Sequence, residues 1–375
     1  MLNIGFDAKR LFNNFTGLGN YSRTLLRDLG TNFPEERYFL YTPKVKQVPS
    51  TNFFLNSPGY QVHLPKGRQK ILWRSFGVKK MLQKHEIDVF HGLSHEIPVS
   101  IQKTGIKSVV TIHDLIFKHY PKQYKAIDNF IYNTKFKYAC QNADRVVAIS
   151  ESTRKDIVNF YGIDPGKIDV VYQSCSDQFK SGWRENKIQE VVDKYNLPQE
   201  FMLYVGSVIE RKNLLNIVKA LANLSNDLSP HLVVVGQGGD YKRKVQEYLA
   251  REGMEKQVSF ITPVFEDIPG LYQRASLFVY PSVYEGFGIP VIEALYSHTP
   301  VVTSNLSSLP EAGGPDTLQV DPYSVEALAD AIEKGLTNEP LRQTMISKGF
   351  EYVKRFDGDE AAKQMMAIYR QLAES

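Results

Sequence analysis

Short apolar runs recur along the chain, each separated from the next by enough residues for a helix. They read LNIGFDA from residue 2, DVFHGL from 88, KSVVTIHD from 107, RVVAIS from 145 and IDVVYQ from 168. The series resumes with FMLYVGS from 201, LVVVGQG from 232, VSFITPV from 258, SLFVYPS from 276 and PVVTSN from 300. The runs are continuous rather than alternating, as expected of strands in a parallel sheet covered by helices on both faces. Ten strands are too many for one doubly wound domain. The pattern therefore predicts two Rossmann-like α/β domains facing each other across a deep cleft.

The polar stretch SCSDQFKSGWRENK (174–187) lacks strand or helix periodicity and places the break there, giving expected domains of 1–180 and 181–356. IQEVVDKYNLP then reads as a helix leading into the second domain. The tail DEAAKQMMAIYRQLAE is a further helix, with Ala362, Met366, Ile368 and Leu372 forming a stripe.

A length of 375 residues agrees with two domains. No apolar run approaches the ~20 residues that span a bilayer, and the N-terminus lacks the long apolar stretch of a signal peptide. Cys140 and Cys175 make no metal-ligand spacing, so a reducing, cytoplasmic setting is expected. Charge is unevenly shared: residues 1–180 hold 26 Lys and Arg against 15 Asp and Glu, and the remainder 19 against 26. The imbalance reads either as a first half that meets something anionic or as drift in surface charge. Seven basic residues fall in PKGRQKILWRSFGVKKMLQK before any acid, and Ile71, Leu72, Phe76 and Leu82 mark an apolar stripe beside Trp73. Segment 66–84 reads as a basic amphipathic helix at an anionic membrane surface, or as a packed helix with a solvated basic face.

Ligands of open parallel sheets bind beyond the carboxyl ends of the strands. After SLFVYPS comes YEGFGIPVIEA, in which Glu285 and Glu293 flank Gly286, Gly288 and Pro290. Proline suits a first helical position, and the free N–H groups of a helix start favour a phosphate. Carboxylates accept hydrogen bonds from sugar hydroxyls, so the pair beside a phosphate site describes a nucleotide-sugar. Either acid alone reads equally as a surface residue near a turn. VGSVIERKNLLNIVKAL repeats the arrangement, with Gly206, Ser207, Arg211 and Lys212: cations for a diphosphate, or a solvated helix start. Gly236, Gly238 and Gly239 make a weak further loop. In the first half Gly17 and Gly19 precede a helix but lack the third glycine of a dinucleotide fingerprint, which disfavours an NAD-dependent oxidoreductase. His113 and Asp114 end a strand, where they either contact a sugar or make a structural hydrogen bond. Ser150 and Ser152 read as helix caps.

Taken in order, TGLGNY, the HD pair, GSVIERKN and EGFGIPVIEA, which carries an E-x7-E spacing, resemble the retaining glycosyltransferases of group 1 (family 4), which have the GT-B fold. The resemblance covers nearly the whole chain. It implies that Glu293 holds the ribose, that Glu285 lies beside the donor sugar, and that the backbone of Phe287, Gly288 and Ile289 contacts sugar and phosphate. It assigns the diphosphate to Lys212 with Arg211, its other side to Gly17 and Gly19, and a sugar contact to His113. It also implies that the C-terminal helix (357–375) crosses back to the first, acceptor-binding domain, leaving 181–356 as the nucleotide-sugar domain. Two departures stand out: Ser207 occupies a position where many members have Arg, and QSCSD replaces the usual Asn-Gly-Val-Asp turn. With no Asp-x-Asp pair, no metal and no cofactor are expected.

The implied activity is transfer of a hexose, from GDP-mannose or a UDP-sugar, to a glycan or polyprenyl-diphosphate-linked acceptor in surface polysaccharide synthesis. The location expected is cytoplasmic or peripheral on the inner membrane face, and no nucleic acid is expected as a partner. A nucleotide-sugar epimerase of the same fold, acting without an acceptor, and a non-catalytic binding subunit are the rival readings.

Overall fold

The computed structural model describes residues 1–65, 72–224 and 228–375. The chain divides into two compact units, Met1–Ser174 together with Phe356–Ser375, and Cys175–Arg355. In the first, β1 (Asn3–Asp7), β2 (Arg37–Tyr41), β3 (Tyr60–His63), β4 (Val89–Gly92), β5 (Lys107–Ile112), β6 (Arg145–Ala148) and β7 (Ile168–Val170) form a parallel sheet ordered β3-β2-β1-β4-β5-β6-β7. In the second, β8 (Met202–Val205), β9 (Leu232–Val235), β10 (Val258–Ile261), β11 (Leu277–Tyr280), β12 (Val301–Ser304) and β13 (Leu318–Val320) form another, ordered β10-β9-β8-β11-β12-β13. Both sheets are doubly wound. Their order reverses between β1 and β4 and between β8 and β11, and loops diverging at such a point leave a crevice for a ligand.

Three strands escape the apolar pattern. β2 lies next to β1 and buries Tyr38, Phe39, Leu40 and Tyr41. It contains no β-branched residue; its flat aromatic side chains fill the pleated surface instead. β3 and β13 are edge strands, paired on one side only and partly solvated, so their polarity is mixed.

The tail forms a helix over Gly358–Ala373 and packs in the first unit. Its buried stripe is wider than the sequence pattern, adding Met365 and Tyr369 to Ala362, Met366, Ile368 and Leu372. These side chains join the core around Ile4, Phe6, Leu25 and Leu29. The Tyr369 hydroxyl meets His91 Nδ1 at 2.6 Å, and Asn32 donates to Asp359 at 2.7 Å.

Part of the basic segment, 66–71, lies outside the described residues. The rest is a single π-turn, Trp73–Gly77, running into a short helix, Val78–Lys84. The expected single stripe is split: Trp73 and Leu82 are buried, whereas Leu72 and Phe76 face solvent. Arg74 turns inward, its guanidinium gripping Asp7 at the end of β1 through Nε at 3.0 and 3.1 Å.

Candidate active site

Two loops meet at the reversal point of the second sheet. One leaves β8, passes Gly206 and enters a turn at Glu210–Lys212 before the helix Leu214–Ala222. The other leaves β11 and runs through Glu285 to the helix Ile289–Tyr296. Because β8 and β11 are adjacent, residues far apart in sequence become neighbours.

The centre of the arrangement is one carboxylate oxygen. Glu285 Oε1 lies 2.9 Å from Arg211 Nη1 and 3.2 Å from Lys212 Nζ, and accepts from Ser282 Oγ at 2.8 Å and the Tyr280 hydroxyl at 3.0 Å. Lys212 Nζ also donates to that hydroxyl. Burial by itself would raise the Glu285 pKa, but Lys212, Arg211 and Ser282 together hold it at about 2. Lys212 is lowered, because burial and the neighbouring Arg211 outweigh the attraction of Glu285. One carboxylate shared by two cations leaves a surplus positive charge in a poorly solvated place. Such a site favours a di-anionic ligand, which would complete the neutralisation.

The second acid is placed differently. Glu293 sits one turn into the helix, partly buried, with the Tyr272 hydroxyl donating to Oε2 at 3.0 Å. Burial pushes its pKa up to about 8, against the opposing pull of Tyr272 and Lys212. At neutral pH the two glutamates therefore differ in charge, Glu285 ionised and Glu293 mostly protonated. A carboxyl that holds its proton until hydroxyl donors arrive suits a polyol ligand.

The glycine loop between them is held rigidly. Ser308 Oγ donates to the Glu285 and Phe287 carbonyls at 2.9 and 2.7 Å, and the Glu285 N–H donates to Ser307 Oγ at 3.0 Å. Arg211 anchors the preceding residues: its guanidinium donates to the Tyr284 carbonyl, and its own carbonyl accepts from Val283 N at 2.9 Å. Gly288 has φ +125°, and a Cβ there would meet Leu309 Cδ2 at 2.9 Å. Pro290 takes the second helical position, not the first. The helix supplies no acceptor for the N–H groups of Gly288 and Ile289, which lie before its first bonded turn. Phe287 turns its ring into the core, so only its backbone is available to a ligand. Gly206 makes room for the lysine: a Cβ there would lie 3.3 Å from Lys212 Cδ. Ser207 is exposed and leaves its carbonyl to the Tyr204 hydroxyl at 3.0 Å.

The structure thus brings together Gly206, Ser207, Arg211, Lys212, Glu285, Phe287, Gly288, Ile289 and Glu293. Tyr280, Ser282, Ser307, Ser308 and Tyr272 were missed. The serine pair lies between the end of β12 and Pro310, in a strand-end loop like the other two.

The first-unit residues behave otherwise. Gly17 opens the helix Gly17–Asn32 and is exposed, but the Gly19 N–H donates to Asn14 Oδ1 at 3.0 Å. A Cβ on Gly19 would fall 1.8 Å from the Asn14 carbonyl oxygen. Gly19 is thereby required for the packing of this loop. His113 is buried with both nitrogens engaged: Nε2 donates to the Leu93 carbonyl at 2.9 Å, so Nδ1 accepts from Gln173 at 2.9 Å. Burial, then the nearby Arg10, lower its pKa to about 4 despite the Leu93 bond. The ring is neutral, and its two hydrogen bonds tie the end of β5 to Leu93 and Gln173. Asp114 accepts from the Ile116 N–H at 3.1 Å, and Ser150 caps the next helix from Thr153 N at 3.0 Å.

Residues 187–352 match the family described as Glycosyl transferases group 1, and residues 16–175 match Glycosyltransferase Family 4. Among curated relatives, the O-antigen chain mannosyltransferase B of Escherichia coli is 26% identical over 99% of this chain and 100% of its own length. The O-antigen chain mannosyltransferase RfbU of Salmonella typhimurium is 30% identical over 75% of this chain and 72% of its own. The match to the Serotype-specific mannosyltransferase WbdA of Escherichia coli spans only 37% of that longer protein. A glycosyltransferase structure from Rickettsia africae ESF-5 superposes with a TM-score of 0.78 at 17% identity, covering 99% of this chain and 98% of that one. Anabaena Alr3699/HepE, solved in complex with UDP and glucose, gives 0.76 at 17% identity, covering 99% and 100%.

Proposed function

The chain belongs to the group 1 glycosyl transferases, and from that premise we propose that it moves a hexose from a nucleoside diphosphate donor to an acceptor hydroxyl with retention of anomeric configuration. The observation that carries this reading is the net-positive Arg211–Lys212–Glu285 cluster beside the helix start at Gly288. In the proposed reaction the bond from the anomeric carbon to the diphosphate oxygen breaks and a bond to the acceptor oxygen forms. The acceptor proton passes to the departing diphosphate. Negative charge grows on that leaving group, and Lys212, Arg211 and the Gly288–Ile289 amides stabilise it where a divalent ion would otherwise be used. Glu285 faces the sugar ring, Glu293 accepts from the ribose hydroxyls, and Gly206 and Ser207 line the diphosphate.

GDP-mannose is the donor proposed first, since relatives matched over most or all of their length are named O-antigen mannosyltransferases. UDP-sugars are its competitors, as the UDP complex of the Anabaena neighbour illustrates. The first unit would take a glycan or lipid-linked acceptor at the cytoplasmic membrane face. Among the described residues no helix is long and apolar enough to cross a bilayer. Nucleotide release is to be measured for GDP-mannose, UDP-glucose and UDP-N-acetylglucosamine, with and without polyprenyl-diphosphate glycans. Acceptor-dependent release is expected. Donor turnover that needs no acceptor would favour the epimerase reading, and binding without turnover the non-catalytic one.

A further inference from the structure

A third strand-end loop borders the glycine loop. β12 lies beside β11, with Val301, Val302 and Thr303 opposite Phe278, Val279 and Tyr280, so residues 305–308 emerge next to 282–287. Ser307 in this loop has φ +53°. That is the left-handed region, where a Cβ crowds the backbone and glycine or asparagine is the usual occupant. A fold retains such strain only where its surroundings impose it, and ligand sites collect it.

What serine supplies at this position, and glycine could not, is a hydroxyl. Its Oγ accepts from the Glu285 N–H at 3.0 Å, and among the described residues nothing accepts its proton. With a lone pair turned to that N–H, the O–H projects away from the Glu285 nitrogen. Ser308 is the contrast. It is buried and spends its proton on the Glu285 and Phe287 carbonyls, inside the loop. Ser307 is only partly buried, as are Glu285 and Gly286 beside it.

Glu285 presents the matching acceptor. Arg211, Lys212, Ser282 and Tyr280 all meet Oε1, and Oε2 has no partner among the described residues. An open carboxylate oxygen and an uncommitted O–H, joined through Glu285 itself, suit a group that both donates and accepts. A sugar hydroxyl is such a group.

We infer that Ser307 contacts the donor hexose, its O–H donating to a ring hydroxyl while Glu285 Oε2 accepts from the same hydroxyl or the adjacent one. The inference rests on the proposed transferase function and adds a reader of the sugar to it. A sugar lacking that hydroxyl, or carrying it on the other face of the ring, would leave both groups unpaired. Sites of this kind discriminate more sharply than apolar ones.

Calorimetric titration of the full-length protein with GDP-mannose and GDP, and with UDP-glucose and UDP, separates sugar from nucleotide. Ser307→Gly suits the left-handed backbone and should melt within about 2 °C of the wild type. Its affinity for the nucleotide-sugar should fall at least about tenfold, and kcat/KM with it, while affinity for the nucleotide alone changes less than about twofold. Ser307→Ala keeps the strain and should lose the same affinity with a lower melting temperature than Ser307→Gly. Unchanged nucleotide-sugar affinity in both variants overturns the inference. Equal weakening of nucleotide and nucleotide-sugar also overturns it, by making Ser307 a support of the loop alone. A wild type that binds none of these nucleotide-sugars would instead bring down the transferase reading, and the inference with it.

Discussion

At the scale of single residues, the two acids of the glycine loop owe their different charge states to their neighbours. Glu285 is surrounded by donors and cations, Glu293 by one phenol. Lys212→Ala removes one of two counter-charges, and turnover should fall on the order of 10²–10³-fold with a smaller change in donor KM. The same variant should raise the Glu285 pKa, seen as an upward shift of the acid limb of kcat against pH. Glu293 gives a separate signature. Its folded-state pKa of about 8 lies above the ordinary value of 4.5, so the folded protein holds a proton the unfolded chain releases. Its contribution therefore favours folding below pH ~4.5 and is lost progressively as pH rises through 8. Glu293→Gln should melt at least ~2 °C above the wild type at pH 9, with little difference at pH 4. If ribose hydroxyls require the carboxylate, nucleotide binding at pH 7 releases most of a proton. Calorimetry in buffers of different ionisation enthalpy should show that release in the wild type and none in the variant. The clustering of acids, cations and glycines was legible in the sequence because these residue types follow the strand ends in two short motifs. Ser307, Ser308 and Tyr280 were not, since their role is to hold a loop through hydrogen bonds that exist only once β11 and β12 lie side by side.

At the scale of elements, the strand-to-helix loops of the candidate site are fixed from two sides. Gly288→Ala forces a side chain into φ +125° and against Leu309, so it should cost about 1–3 kcal/mol in denaturant unfolding and weaken donor binding. An unchanged unfolding midpoint would show that the loop relaxes freely. The sequence supplied ten of the thirteen strands found among the described residues because buried parallel strands are marked by continuous apolar runs. β2 was hidden because aromatics in the run YFLY can cover a sheet or a helix, and only its pairing with β1 decides which. The segment 66–84 shows the opposite error. Its apolar residues counted as one stripe in sequence, but in the described part a π-turn rotates Leu72 and Phe76 away from Leu82.

At the scale of the whole molecule, the chain's last residues complete its first unit. A protein ending at 356 would uncover the pockets that receive Ala362, Met365, Met366, Tyr369 and Leu372. Each large apolar side chain contributes about 1.5–3 kcal/mol on burial, a sum comparable with the 5–15 kcal/mol that holds a whole domain folded. Limited proteolysis of that truncation should degrade residues 1–174 and spare a fragment near 175–355. Survival of the first unit would show that the helix is dispensable.

By itself the sequence determined the doubly wound α/β class, the two-part organisation and the residue types gathered in the candidate site. Each follows from local rules: buried strands are continuous and apolar, and a diphosphate beside hydroxyl groups needs cations, glycines and carboxylates within short loops. The tertiary structure decided which of those residues share a site and what charge each carries. It gathered Arg211 and Lys212 onto Glu285 across 74 and 73 residues of chain, engaged both ring nitrogens of His113 and set Gly19 against Asn14. Those outcomes depend on strand order and on the burial of particular atoms, and neither is set by any one stretch of chain.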